Sequence, residues 1–210
     1  MGVAGKTDGQ LVREDSQKLP ATHLPAAAAL ARVCARYLLR GRGVPLTSAP
    51  RIMASILPSR PRGFGPRKSF AIVSSTYHHG YVQGLVEPTK RELEVIAPNT
   101  NVHVYEVPGA FEIPLIVQEV AAKGGIDGVI ALGVIIQGET AHAEMVARSV
   151  TESLQRIALN NRIPVVHEVL LLQNEEQARV RCLEDEINRG TEAARVAMRM
   201  AQVMGDFVRR

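Results

Sequence analysis

The chain has 210 residues, 46% of them hydrophobic, and a formal net charge of +4. That length buries a core in one domain with chain to spare, and no apolar run approaches the eighteen or so residues that would span a bilayer, so no membrane partner is expected. The two cysteines, Cys34 and Cys182, stand far apart; their spacing suggests neither a zinc site nor a disulfide framework and fits a reducing, cytoplasmic setting.

The charge is unevenly placed. There is no Asp or Glu between Ser16 and Val86, whereas acids and bases mix from Glu87 onward with acids slightly ahead. The basic excess therefore belongs to the N-terminal region and not to the expected folded domain. Trp is absent and other aromatics are few, which denies a row of stacking platforms; nucleic acid is not an expected partner.

Residues 1–68 and 69–210 read as different material. The first part is rich in Ala, Pro, Arg and Gly, and its one periodic piece, "LPAAAALARVCARYLL" (Leu24 to Leu39), predicts a short helix. It dissolves into "PSRPRGFGPRK", where Pro and Gly deny a regular element. Three readings of this extension compete: a disordered tail, an Arg-rich and acid-poor leader for organellar import, or an over-long start with translation beginning at Met53. The last is preferred, because the expected domain downstream needs nothing before Met53. "GVAGKT" near the start lacks both the glycine spacing and the preceding strand of a phosphate loop.

From Ser69 strands and helices alternate. "SFAIVSS" is an apolar strand, and "YVQGLVEPTKRELEVI" is helical, with Pro88 expected to kink it or mark a late start. "NVHVYEV" alternates as a strand; "PGAFEIPLIVQEVAAKGG" turns and continues as a helix closed by glycines. "DGVIALGVII" and "IPVVHEVLLL" are two more strands, separated by the long amphipathic helix "TAHAEMVARSVTESLQRIALNN". The remainder, "NEEQARVRCLEDEINRGTEAARVAMRMAQVM", is one or two helices. The pattern predicts an α/β fold, a three-layer αβα sandwich around a four-stranded parallel sheet.

In such a sheet ligands sit beyond the carboxyl ends of the strands. The four loops there are "STYHH", "VPGAFE", "QGETAH" and "LQNEEQARVR". In the third, Gly138 permits a tight turn and Thr140 can cap the next helix, leaving first-turn N–H groups for an anion; a plain cap is the commoner fate of such a sequence. His142 follows in the first turn, where an imidazole can move protons, or is a surface histidine. Arg181 offers a planar fork to the same anion, or is a solvated helix residue. Glu112 can accept from hydroxyls or ring N–H groups, or is only a helix-start charge. Tyr77 presents a flat face to a planar heterocycle, or is packed. His78 and His79 are adjacent and lack partners at ligand spacing, so no metal site is read.

Taken together, "VPGAFEIPL", "ALGVIIQGETAHAEMVA", "IPVVHEVLLLQNEEQARVRC" and "NRGTEAA" resemble the 6,7-dimethyl-8-ribityllumazine synthase family, in order, over about Ser69 to Met204. The resemblance implies a flavodoxin-like single domain. It also implies condensation of 5-amino-6-(D-ribitylamino)uracil with 3,4-dihydroxy-2-butanone 4-phosphate, releasing phosphate and water, with no metal or organic cofactor. By the same resemblance Tyr77 stacks on the pyrimidine and Ala110, Phe111 and Glu112 hold the ribityl-aminouracil. Val134, Ile135 and Ile136 line that pocket. Glu139 and Thr140 receive the phosphate substrate, Arg181 pairs with its phosphate, and His142 transfers protons. The pocket lies between adjacent subunits of a pentamer. Some members build sixty-subunit icosahedral shells, and riboflavin synthase is a further implied partner.

The sequence departs from the family in places. His167 stands where a phenylalanine from the neighbouring subunit usually closes the ring-stacking wall. Thr76 replaces an arginine, His78 an asparagine and Asp185 a frequent lysine, while Arg189 keeps a positive charge nearby. Two rivals stay open at this point: a non-catalytic ligand-binding or shell-forming paralogue, and a flavodoxin-like nucleotide binder suggested by the βαβ pattern alone. For the shell, the short connection from Glu184 to Gly190 argues in favour, and the prolines between Pro58 and Pro66 argue against an added N-terminal strand.

Overall fold

A computed structural model of the chain describes residues 57–62 and 67–208. The expected helix at Leu24 to Leu39 and the Met53 start lie outside the described residues. Four strands form one sheet: β1 (Ser69–Ser75), β2 (Asn101–Val107), β3 (Gly128–Ile136) and β4 (Val165–Leu172). Their order is β2-β1-β3-β4 and every pairing is parallel. The helices between them are α1 (His79–Ile96), α2 (Ile113–Lys123, after a 3₁₀ turn at Ala110–Glu112) and α3 (His142–Asn161), and α4 (Glu175–Cys182) and α5 (Arg189–Val208) follow β4. Two cores result, one per face of the sheet. Phe70, Ile72, Ile130 and Leu132 pack under α1 and α5, while Val73, Val129, Val169 and Ala131 meet α2 and α3. The three-layer αβα sandwich is therefore present, with the flavodoxin-like strand order.

Pro88 does not start the helix late: α1 begins at His79 and runs through it. Proline lacks an N–H, so the carbonyl four residues back, on Gly84, loses its helical partner. Asn188 fills the gap, its Nδ2 donating to Gly84 O at 3.0 Å and to Cys182 O at 2.8 Å. The same side chain caps α5, its Oδ1 accepting from the N–H groups of Gly190 (2.9 Å) and Thr191 (3.2 Å). All four hydrogen-bonding positions of this buried amide are in use. Beside it a Cβ on Gly190 would stand 2.1 Å from Leu85 O, so glycine is required for α5 to approach α1. The two helices of the C-terminal region are separate because Asn188 ends one connection and opens the next helix.

Residues 57–62 lie along α1 and α5. Arg60 donates both to Glu92 Oε1 (2.7 Å) and Oε2 (2.9 Å). Arg195 donates to the same carboxylate at 2.7 Å and to Pro58 O at 2.7 Å, and Gln202 donates to Arg62 O at 2.8 Å. The Arg60 hydrogen bond, with Arg195 behind it, holds the buried Glu92 carboxyl below the usual carboxylate range.

Replacing Asn188 strands buried carbonyls and N–H groups together. Asn188→Ala is expected to lower unfolding free energy by about 2–4 kcal/mol. Asn174, whose exposed side chain caps α4 by accepting from the Gln177 N–H at 2.9 Å, should cost only about 1 kcal/mol on the same change. Urea melts of the two variants check the ranking, and equal losses would refute the role given to Asn188.

Candidate active site

The strand order reverses at β1: the chain leaves β1 for β2 on one side and returns to β3 on the other. Loops diverging at such a switch leave a crevice beyond the strand ends. A cleft of about 460 Å³ opens there. Its walls come from three loops. Backbone bonds from Thr76 N–H to Val107 O (2.8 Å) and Tyr77 N–H to Pro108 O (3.1 Å) tie the first loop to the second, which sets Tyr77 and His78 beside Ala110, Phe111 and Glu112. Tyr77 is 69% exposed, its ring edge-on to His78 at 4.5 Å between centroids. His78 adopts a left-handed conformation (φ 57°, ψ 41°) at the start of α1, a costly backbone state for a non-glycine residue that concentrates at functional sites.

The floor is the end of β3, Val134, Ile135 and Ile136. The third wall is Gly138, Thr140 and His142, with Ala143 and Val146 behind them. Thr140 does not cap α3 as expected. The capping position falls on Ala141, which has no side-chain acceptor, and Thr140 Oγ1 stands 3.5 Å from His142 N, at the outer limit of a bond. The start of this twenty-residue helix therefore carries no side-chain cap at Ala141, and its first residues, with the exposed His142, line the cleft. The helix dipole and free N–H groups favour an anion at that end.

Nine of the twelve expected site residues line this cleft: Tyr77, Ala110, Phe111, Glu112, Val134, Ile135, Ile136, Thr140 and His142. Glu139 lies exposed on the same turn, between two lining residues, without lining the cleft itself. His167 and Arg181 are elsewhere. His167 sits in the middle of β4, paired in register with Ala131, five residues short of the Ile136–Leu172 pair at the rim; that is about 16 Å of strand. Arg181 lies on α4, which packs with α1 and α5 on the face opposite α3, next to the buried Cys182 thiol that burial pushes up to about 12.

Residues 67–205 match the family profile described as 6,7-dimethyl-8-ribityllumazine synthase. The chain belongs to the 6,7-dimethyl-8-ribityllumazine synthase family. Among curated proteins, the 6,7-dimethyl-8-ribityllumazine synthase of Burkholderia multivorans is 40% identical over 133 residues, 63% of this chain and 75% of its own length. That of Paraburkholderia phymatum is 41% identical over 133 residues, again 63% and 75%. That of Polaromonas sp. is 35% identical over 144 residues, 68% of this chain and 91% of its own. Among the described residues no group of three or more His, Cys, Asp or Glu converges as a metal would require, and no helix is long and apolar enough to cross a membrane.

Two further residues line the cleft: Gly138, expected to form its turn, and His78, read in the sequence only as a departure from the family and as no metal ligand. Glu168 was the missed carboxylate: it stands within the largely apolar strand β4 and is half-buried there. Burial pushes it up to about 7, against the pull of Arg189 and with the help of Glu192.

Its effect on stability has a definite sign. The unfolded carboxyl ionises near 4.5 and the folded one near 7, so over that interval the folded state holds the extra proton. Stability from Glu168 is full below about 4.5 and is lost as pH rises through about 7. Glu168→Gln should remove this slope, and urea midpoints at about pH 5 and about pH 8 measure it. A slope equal in the two proteins would refute the burial of this charge.

Proposed function

We propose that this chain carries out the lumazine synthase reaction at the rim cleft, and that each cleft is completed by a second copy. The observation that carries the reading is the convergence of the "PGAFE" turn, the β3 end and the uncapped start of α3 on one crevice, with His142 on its lip. The chemistry joins the amine of 5-amino-6-(D-ribitylamino)uracil to the carbonyl of 3,4-dihydroxy-2-butanone 4-phosphate. Water leaves as the imine forms, phosphate is eliminated, and the ribityl-bearing nitrogen closes the second ring with loss of another water. Every step moves a proton and none needs a protein nucleophile. His142 is the acid and base, a role of about 10²–10⁴-fold in rate. Alignment of two bound partners supplies much of the remainder, with effective molarities on the order of 10⁵ M or more.

Tyr77 stacks on the pyrimidine, Ala110 to Glu112 hold the ribityl-aminouracil, and Val134 to Ile136 line its pocket. The α3 N-terminus with Glu139 and Thr140 receives the phosphate substrate. Arg181 and His167 belong to α4 and β4, away from their own cleft, and we assign them to the cleft of an adjacent copy. Tyr77 and Phe111, which line the cleft, are each more than half exposed, an apolar surface suited to such a contact. The proposed assembly is a homopentamer of 69–210 domains in the cytoplasm, with residues 1–68 as an extension. Pro58 and Pro61 lie in the segment fastened to its own α1 and α5. They supply no ladder N–H for an added strand, so the pentamer and not the sixty-subunit shell is the expected end state.

His142→Ala should lower kcat by about 10²–10⁴-fold with little change in KM, and Arg181→Ala should mainly raise KM for the butanone phosphate. Steady-state lumazine formation, each substrate varied in turn, checks both; unchanged constants in both variants reject the assignment. Sedimentation velocity should show one species of five copies, and a particle of shell size would overturn the assembly stated here.

A further inference from the structure

His167 is held at both ring nitrogens. The Val169 N–H donates to Nδ1 at 3.1 Å, so Nδ1 carries the lone pair. Nε2 lies 2.7 Å from Thr151 Oγ1. That hydroxyl spends its only proton on Ala147 O, at 2.8 Å one turn back along α3. It can therefore only accept from the ring, and Nε2 must bear the hydrogen. The chain of donors runs one way, from Nε2–H through Thr151 to the Ala147 carbonyl, and it fixes a single neutral tautomer. Thr151 is nine residues beyond His142 on the same helix, about 14 Å along it, so this network lies outside the copy's own cleft.

We propose that Thr151 is a positioning residue for His167, holding its imidazole as a neutral ring in one tautomer where it closes a neighbouring copy's cleft against the pyrimidine. The proposal rests on the shared-site reading above and gives the ring wall a polarity. An imidazolium there would set Nδ1–H against the Val169 N–H, two donors facing each other. Burial also keeps the ring below its ordinary pKa, outweighing a backbone hydrogen bond at His167 that favours the protonated form. The charged groups around it do not oppose this. On α3, Arg148 and Glu152 flank Thr151 and pair with each other at 3.0 Å. On β3 the register partner is Ala131. On β4 itself Glu168 faces the other side of the sheet, toward Arg189 and Glu192. A neutral ring can lie against an uncharged heterocycle without the desolvation cost of a cation, and its fixed orientation selects which edge of the substrate ring it meets.

Thr151→Val keeps the shape of an exposed side chain and removes the acceptor, so the ring can swing off the Val169 N–H and take a proton. Thr151→Ser keeps the acceptor. Ring-nitrogen NMR of the full-length protein, with His167→Gln to assign the signal, should show unprotonated Nδ1 and protonated Nε2 in the wild type and in Thr151→Ser. Thr151→Val should show a mixture. In lumazine formation Thr151→Val should raise KM for the ribityl-aminouracil about threefold to tenfold, the worth of one hydrogen bond, with kcat preserved. The gap should widen as pH falls through about 6.5, and Thr151→Ser should follow the wild type. A protonated Nδ1 in the wild type, or an active wild type whose KM–pH profile Thr151→Val reproduces, overturns the inference and leaves the functional reading standing. A wild type that forms no lumazine overturns that reading, and the role of Thr151 with it.

Discussion

The parallel pairing of β1 with β3 is the constraint on which the rest of the structure depends. The connections from these neighbours leave on opposite faces, one into α1 and the other into α3. Their loops therefore part instead of packing on each other, and the space between them is the cleft. Two strand-end loops joined by backbone bonds bring an aromatic ring and a carboxylate to one side. A helix begins on the other side without a side-chain cap. The fold thus brings the crevice, an uncapped helix start and the rings of Tyr77, His78 and His142 together.

Much of this was legible in the sequence, for a physical reason. Strands buried on both faces are nearly continuous apolar runs, so "SFAIVSS" and "DGVIALGVII" mark their positions to within a residue. "NVHVYEV" reads by alternation instead, and β2 turns out to be an edge strand exposed through its middle. The loops after these strands fall on one rim by parallel order alone. What failed were the points at which tertiary contacts override local rules. Pro88 allows a late start, yet the helix begins at His79, and an amide about a hundred residues away in sequence replaces the missing bond. Thr140 reads as a cap, yet the helix starts one residue later than the motif implies.

Charge burial was the least legible feature. Nothing in the sequence singles out Glu92, which is the buried anchor for Arg60 and Arg195. Arg60 ties residues 57–62 to that carboxylate and Arg195, from α5, reaches both the carboxylate and Pro58 O; the desolvation of that acid is offset because both partners are present. Among the described residues no ion pair reaches Glu168, and burial pushes its carboxyl up to about 7. Between them lies the general lesson for this fold: composition places the basic excess in the extension, but only packing decides which acids meet it.

The central claim is that one cleft draws on two copies of the chain, since His142 lines it and Arg181 lies across the sheet. The most direct measurement mixes His142→Ala with Arg181→Ala, dissociates and reassembles them together, and assays lumazine formation. If Arg181 serves a neighbour, about a quarter of the clefts regain both groups at equal mixing, and activity rises well above that of either variant alone. If activity stays at the average of the two variants, both residues serve the same copy's cleft and the account is contradicted.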